Sequence, residues 1–464
     1  MRIHFVGIGG IGVSALARYF LAQGAKVSGS DLTSSEITDD FKKIGVKISI
    51  GPHKAENVPS DTDLIIYSSA IKPDNSELKF FKSEILNPKS ETNSKFQIQN
   101  SKILSYPEAL GELTKRYFTI AVSGAHGKST TTAMFACILV KAKLDPTVII
   151  GTKLKEFNDS NFRAGKSQYL IIEADEWQAS FLNYWPRMII LTNIDKEHLD
   201  YYKNLENILR TFKKYISHLP NDGFLIVNED DENIRKMLNL KSEIKNPRQI
   251  QNSKFKIQNY SIKQRESVIL RKILKVPGEH NICNALAALS AARALKIPDK
   301  ISFRALSEYR GAWRRFELLG KFNGADIVSD YAHHPTEIKA TLAAARQKYP
   351  QKEIWCVFQP HQIQRTAFLF KDFVSAFDNA DRIFLVDIYG VAGREQFINR
   401  REISNKVNSE KLALEIKKRG KNSNYFNNFE AVANVLKKEI TRNKLVLIMG
   451  AGDIWKMKKL IFLK

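Results

Sequence analysis

The stretch that most restricts this chain is residues 118–132, FTIAVSGAHGKSTTT, where an apolar, β-branched run is cut by glycines and followed at once by helix-forming residues. A buried strand that turns into a helix through Gly124-Ala125-His126-Gly127-Lys128-Ser129-Thr130 is a phosphate-holding device, with a shorter spacing than usual. Its glycines let backbone N–H groups crowd round phosphate oxygens, and the helix start adds positive potential. Lys128 offsets phosphate charge, and a hydroxyl ligates Mg²⁺. Such a unit belongs to a parallel α/β sheet, since strand-to-helix crossovers put helices on the sheet faces.

Apolar strands that end in polar residues recur along the chain. Residues 3–8 form one, with helical spacing of Val13, Leu16, Ala17 and Phe20 behind it. Gly7-Ile8-Gly9-Gly10-Ile11-Gly12 satisfies the GxGxxG pattern, with Asp31 about twenty residues on. That geometry accepts a dinucleotide and equally any other pyrophosphate, a UDP-sugar included. Further strands at 26–30 and 63–67 make residues 1–116 a small doubly wound domain. The phosphate-loop strand opens a second α/β domain, 117–310, in which LIIEADE and MIILTNID should present Glu173 and His198 at the same sheet edge as the loop. Carboxylate oxygen there suits Mg²⁺, and imidazole beside it a second metal position. An alanine-rich helix at 281–295, a break at Pro298 and the turn RGAWRRFE precede GADIVSDYAHHP and IWCVFQPH in a third domain, 311–464. Three cores suit 464 residues with 43% hydrophobic content.

The formal net charge of +23 raises the question of a polyanionic partner, but twelve of those charges sit in residues 79–105 and 236–275, which carry no nucleic-acid motif. Solvated basic loops and no nucleic-acid partner are expected. No run of about 20 apolar residues and no secretory leader pattern occurs, so a cytoplasmic protein without membrane insertion is expected. Cys137, Cys283 and Cys356 lie apart in apolar segments and read as reduced core residues. Residues 83–100 and 242–259 repeat each other at 12 of 18 positions with an offset of 159. Both copies are polar with one Phe each, which predicts dispensable surface insertions.

Taken together, GIGGIG, GAHGKSTTT, EADE, TNID-x-x-H-x-D, GEHN-x-x-N-A, RR-F, DYAHHPTE, FQPH-x-x-x-RT and MGAGDI span nearly the whole chain, and in that order they resemble the landmarks of the Mur ligases. The match is nearest to those members that join L-alanine to UDP-N-acetylmuramate. The resemblance implies an α/β protein of three domains: an N-terminal Rossmann-like UDP-sugar domain, a central P-loop ATPase domain and a C-terminal Rossmann-like domain. It implies that Gly9, Gly10, Gly12 and Asp31 serve the UDP-sugar, and that Gly124, His126, Gly127, Lys128, Ser129 and Thr130 hold ATP. Ser129, Thr130 and Glu173 would ligate Mg²⁺, with His198 at a second metal position. Asn281 and Asn284 would lie near adenine, and Arg315 and Asp330 would close the nucleotide site. His334, His361 and Arg365 would orient the muramoyl carboxylate and alanine, with His334 a candidate base.

Departures are Ala125 and Ser129, where Thr is usual, Trp177 after EADE, and the absence of Pro after the Tyr of DIYGVAGRE. The implied reaction is ATP-dependent ligation through an acyl phosphate, by a monomer or weak homodimer that closes on its substrates and keeps water out. A neighbouring reading is a recycling ligase that attaches a preformed tripeptide to the same UDP-sugar. From other classes come a nicotinamide-dependent oxidoreductase and a nucleotide sensor, against which Lys128, Ser129, Glu173 and His198 together argue.

Overall fold

Three sheets, each fed by strand-to-helix turns of the expected kind, organise the chain in a computed structural model that describes residues 1–85, 103–238, 255–390 and 407–462. The first contains β1 (Arg2–Val6), β2 (Lys26–Asp31), β3 (Lys47–Ile50), β4 (Leu64–Tyr67) and β5 (Ile103–Ser105) in the order β3-β2-β1-β4-β5, all parallel. The strand order reverses on either side of β1, so the glycine loop that leads into α1 (Ile11–Ala22) emerges at a topological switch point.

The second sheet contains β6 (Phe118–Ser123), β7 (Thr147–Leu154), β8 (Ser160–Arg163), β9 (Tyr169–Ala174), β10 (Met188–Leu191), β11 (Phe224–Asn228) and β12 (Lys256–Tyr260), in the order β12-β11-β10-β6-β9-β7-β8. Only the β7–β8 pair is antiparallel. Because β6 runs between β9 and β10, the loops that follow these three parallel strands share one sheet edge.

The third sheet, of β13 (Glu317–Phe322), β14 (Ala325–Asp330), β15 (Glu353–Phe358), β16 (Arg382–Leu385), β17 (Asn422–Tyr425) and β18 (Lys444–Met449), has the order β13-β14-β18-β15-β16-β17. Ile354, Cys356 and Phe358 pack into one core and Trp355 and Val357 into another, the period-two signature of a strand covered on both faces.

Two compact units result. The first comprises Met1–Asp195, Glu206–Ser261 and Leu286–Leu306; the second comprises Lys196–Leu205, Ile262–Ala285 and Ser307–Lys464. The first two sheets share a unit because α1 docks on the antiparallel pair. Asn161 Nδ2 donates to the Ile11 carbonyl at 2.6 Å and to Ser14 Oγ at 2.8 Å, and Tyr19 meets Phe162 edge to face at 6.3 Å.

The repeat at 242–259 departs from expectation. Its residues 256–259 form most of β12, paired in register with β11 and anchored by buried Tyr260. An edge strand needs backbone pairing on one side only, so a polar segment suffices. The remainder of that copy up to residue 254, and residues 86–100 of the first copy, lie outside the described residues. Cys356 is fully buried, Cys137 and Cys283 partly so, and all three are free thiols. Among the described residues no helix is long and apolar enough to cross a membrane.

Candidate active site

In the first compact unit the phosphate loop bends through Gly124 (φ +132°) and Gly127 (φ +80°), both in the region open to glycine, and α2 (Lys128–Lys141) starts at the lysine. A Cβ on Gly124 would lie 2.2 Å from Thr192 Oγ1, so the loop and the end of β10 fit only with glycine there. Thr192 and Asn193 brace the loop from that strand end. Asn193 Oδ1 accepts the His126 N–H at 2.8 Å, and its Nδ2 donates to the His126 carbonyl at 2.9 Å. Thr192 Oγ1 donates to the same carbonyl at 2.7 Å, and His126 Nε2 pairs with Asp195 Oδ2 at 2.9 Å.

Lys128 Nζ donates to the Gly124 carbonyl at 2.6 Å and to Glu176 Oε2 at 2.8 Å. Burial works against the ammonium's charge, but Glu176, Asp175 and Glu173 outweigh it and its pKa is raised. Glu176 itself is pushed up to about 7 by burial and by Asp175, with Lys128 opposing. At the end of β9, Glu173 accepts Ser129 Oγ at 3.0 Å and the Gly151 N–H at 2.6 Å. A hydroxyl and a carboxylate that share one point form an oxygen donor set suited to a hard cation, and this fits Mg²⁺. Thr130 is buried at the start of the same helix.

The other glycine loop is held from within. Gly9 N donates to Asp31 Oδ2 at 2.9 Å and Gly10 N to the Gly7 carbonyl at 3.2 Å. Gly9 and Asp31 therefore shape the loop from within. The start of α1, at Ile11, Gly12 and Val13, carries the amides that precede the first helical bond, Ser14 N to Gly10 O. A Cβ on Gly12 would lie 3.0 Å from the Tyr106 hydroxyl, a half-buried phenol that the loop leaves room for.

In the second compact unit, Glu197 draws together three of the expected site residues. Its Oε2 accepts Arg365 Nη2 at 3.1 Å and lies 3.8 Å from His198 Nε2, while Oε1 lies 3.9 Å from His334 Nε2. Burial opposes the charge, yet Arg365, His198, His334 and His333 hold the carboxyl well below its usual range. Arg365 Nη1 donates to His361 Nδ1 at 3.1 Å and to the His361 carbonyl at 3.2 Å, and the His361 ring stacks on Tyr389 at 5.6 Å.

His334 caps the helix Pro335–Lys348, its Nδ1 accepting the Thr336 N–H at 3.3 Å. The proton of the neutral ring therefore sits on Nε2, which makes His334 a donor and counts against it as the base. Asp330, at the end of β14, is buried and accepts Phe316 N at 2.7 Å, Ala332 N at 2.8 Å and Thr341 Oγ1 at 3.3 Å, bonds that fix the arginine turn. Arg315 lies over the Tyr331 ring at 5.0 Å and close enough to His280 to help burial push that imidazole down to about 4. Asn281 and Asn284, both buried, are joined at 3.3 Å on one face of the helix Glu279–Ala294.

Three family models match in chain order: the Mur ligase family catalytic domain at 2–90, the Mur ligase middle domain at 122–292 and the Mur ligase glutamate ligase domain at 314–452. A UDP-N-acetylmuramate–L-alanine ligase of Clostridium tetani is 42% identical across 100% of this chain and 98% of its own. The chain belongs to the Mur ligase family. The crystal structure of the UDP-N-acetylmuramate-alanine ligase of Thermotoga maritima matches with a TM-score of 0.76 at 26% identity, covering 99% of this chain and 98% of that one. A murein peptide ligase of Psychrobacter arcticus shares the fold, with a TM-score of 0.70 at 21% identity over 99% and 98% of the two chains.

Several supporting residues of this Mur ligase were not among the expected site residues. Thr192, Asn193 and Asp195 stood inside the quoted TNID motif, and their position after a buried strand next to β6 was the available signal. Glu197 gave none, being one charged residue in a loop. Arg314, buried and with φ +56°, reaches the Gly450 and Gly452 carbonyls of MGAGDI, and Gln359 binds Ile454 N at 3.1 Å, so two arms of this unit clamp that loop.

Proposed function

We propose that this chain joins L-alanine to UDP-N-acetylmuramate, with cleavage of ATP, in peptidoglycan precursor synthesis. The full-length likeness to a ligase of that name carries the reading, and the braced phosphate loop with its Glu173–Ser129 pair supports the ATP chemistry. A cytoplasmic enzyme with domains 1–116, 117–310 and 311–464, working as a monomer or weak homodimer, is part of the same proposal.

A carboxylate repels an amine and has no leaving group, so it must be activated. In-line transfer of the γ-phosphoryl group to the muramoyl carboxylate gives an acyl phosphate. Attack by the alanine amine then releases phosphate through a tetrahedral intermediate. The amides of Gly127 and the start of α2 cradle the phosphates with Gly124 and His126, and Lys128 exchanges Glu176 and the Gly124 carbonyl for phosphate oxygens. Ser129, Thr130 and Glu173 hold Mg²⁺, and His198 serves a second ion; the metal's part is to neutralise charge on the transferring group. Gly9, Gly10, Gly12 and the start of α1 take the UDP pyrophosphate, with Asp31 holding the loop that serves the UDP-sugar. Asn281 and Asn284 flank adenine, and Arg315 and Asp330 close the nucleotide site. His361 and Arg365 orient the muramoyl carboxylate and alanine, and His334 supplies a donor there.

Phosphate release by the purified chain should require both UDP-N-acetylmuramate and L-alanine, and Lys128→Ala should lower turnover by about a thousandfold without unfolding the protein. Efficient use of the tripeptide with poor use of L-alanine would move the chain to the recycling ligases. Near wild-type turnover by the lysine variant would overturn the phosphate-loop assignment.

A further inference from the structure

We propose that Glu197 is a positioning residue that presets the Arg365 guanidinium for the α-carboxylate of the incoming amino acid. The inference rests on the ligase reading above and concerns a residue with no assigned part in it.

Arg365 is only 9% exposed, and a guanidinium so buried needs a compensating charge and fixed hydrogen-bond partners. Glu197, at 6% exposure, supplies the charge through the 3.1 Å bond to Nη2. His361 takes Nη1 twice, through Nδ1 at 3.1 Å and its carbonyl at 3.2 Å. Arginine never gives up its proton, so His361 Nδ1 accepts and the neutral His361 ring carries its hydrogen on Nε2.

Three of the five guanidinium N–H groups are thereby engaged, leaving Nε and the second Nη2 hydrogen among the described residues. These adjacent donors form the edge with which arginine grips a carboxylate in two parallel bonds. Arg365 also lines an open cleft together with Glu197, Leu199, Gln364, Phe368 and Leu369. Leu199, Phe368 and Leu369 supply an apolar lining for a methyl group, while Glu197, which lines the same cleft, acts through its bond to the guanidinium.

The backbone shows how the carboxylate is delivered. His198 takes a left-handed φ of +53° directly after Glu197 and starts the short helix Leu199–Tyr202. The His198 N–H donates back to Glu197 Oε2 at 3.3 Å. The carboxylate is therefore held by its own turn as well as by Arg365, which makes it a fixed support for the guanidinium.

The test compares Glu197→Gln, Glu197→Asp and Arg365→Lys in the full-length enzyme, with L-alanine and ATP varied separately. Glu197→Gln keeps the shape and removes the charge. It should raise the KM for L-alanine by about tenfold to a hundredfold, leave the KM for ATP within about twofold, and change kcat less than KM. Glu197→Asp should recover part of the loss. The Glu197→Gln/Arg365→Lys double variant should be little worse than Arg365→Lys alone, because both act on one interaction.

Equal losses toward alanine and ATP, an effect on kcat alone, or full additivity in the double variant would overturn the proposal. Thermal unfolding and ATP binding by calorimetry, measured on the same preparations, separate a folding defect from a shift in alanine affinity. A variant that unfolds below the assay temperature counts against a positioning role. If the unaltered enzyme ligates the tripeptide and ignores L-alanine, the ligase assignment fails first, and the same kinetic comparison on the tripeptide then decides the role of Glu197 independently.

Discussion

Replacing Asn193 with alanine removes the side chain whose Oδ1 accepts the His126 N–H at 2.8 Å and whose Nδ2 donates to the His126 carbonyl at 2.9 Å. Each bond contributes about 1 kcal/mol net, so the ordered loop should lose about 2 kcal/mol relative to its unbraced conformations, a population change of about thirtyfold. The Thr192 Oγ1 bond to the same carbonyl survives, and the fully buried interiors of β6 and β10 are untouched. Global stability should therefore move much less than loop order does. In a phosphate-release assay with the other substrates saturating, kcat/KM for ATP should fall by about tenfold to thirtyfold, while the KM for L-alanine stays within about twofold. An unchanged ATP dependence, or an equal loss toward ATP and alanine, would refute the view that this strand end preorganises the loop.

Gly124→Ala should be harsher, because the added methyl would sit 2.2 Å from Thr192 Oγ1 at a φ of +132°; loss of ATP-dependent turnover with an intact circular dichroism spectrum is expected, and near-normal activity would contradict the close fit. Glu77 is buried and accepts from His4, His53, Asn57 and Ser30, which hold its carboxyl far below the usual range despite its burial. A depressed carboxyl stabilises the fold above its unfolded pKa of about 4.3 and loses that contribution as pH falls through the folded value. Glu77→Gln should therefore cost about 3 kcal/mol at pH 7 in urea unfolding and flatten the acid side of the stability profile; equal stability at pH 7 would argue against the network.

Glu176, pushed up to about 7, has the opposite sign: it stabilises most below its unfolded value and loses this as pH rises through about 7. Wild type should lose stability relative to Glu176→Gln between about pH 4.5 and 7, and parallel profiles would exclude the raised pKa. Replacing residues 256–259 by a Gly-Ser linker should lower the unfolding midpoint, since it strips β12 from its sheet; an unchanged midpoint would restore the dispensable-insertion view.

The strand-to-helix frame was legible because buried parallel strands are written as continuous apolar runs, as in FTIAVS and MIIL, and because glycines mark where such strands end. The β7–β8 and β13–β14 pairs were not anticipated: TKL, SNFR and ELLGKF are mixed in polarity, and pairing at a sheet edge depends on a neighbour that local pattern does not encode. Among the site residues, the loop glycines, Lys128, Glu173 and His198 announced themselves through residue type and position, whereas His334 and His361 came from the family resemblance. Asn193 and Glu197 did not, because their importance lies in which backbone or guanidinium they meet across distant segments. The structural part of Asp330 was hidden for a related reason, since only the three donors converging on it reveal an internal fastening.

The interleaving of the two compact units has a bearing on how the polypeptide is made. The N-terminal unit draws on Met1–Asp195, Glu206–Ser261 and Leu286–Leu306, so it has all its parts only once Leu306 has left the ribosome. At about 5–20 residues per second, that is roughly fifteen seconds to a minute after initiation. Until residue 260 is made, β6, β9 and β10 exist without β12, and the covering segment Leu286–Leu306 follows later still. A nascent chain halted before that point is an exposed, aggregation-prone substrate for chaperones. Slow codons between 195 and 306 would lengthen its vulnerability, and no cut at a single peptide bond yields either unit whole.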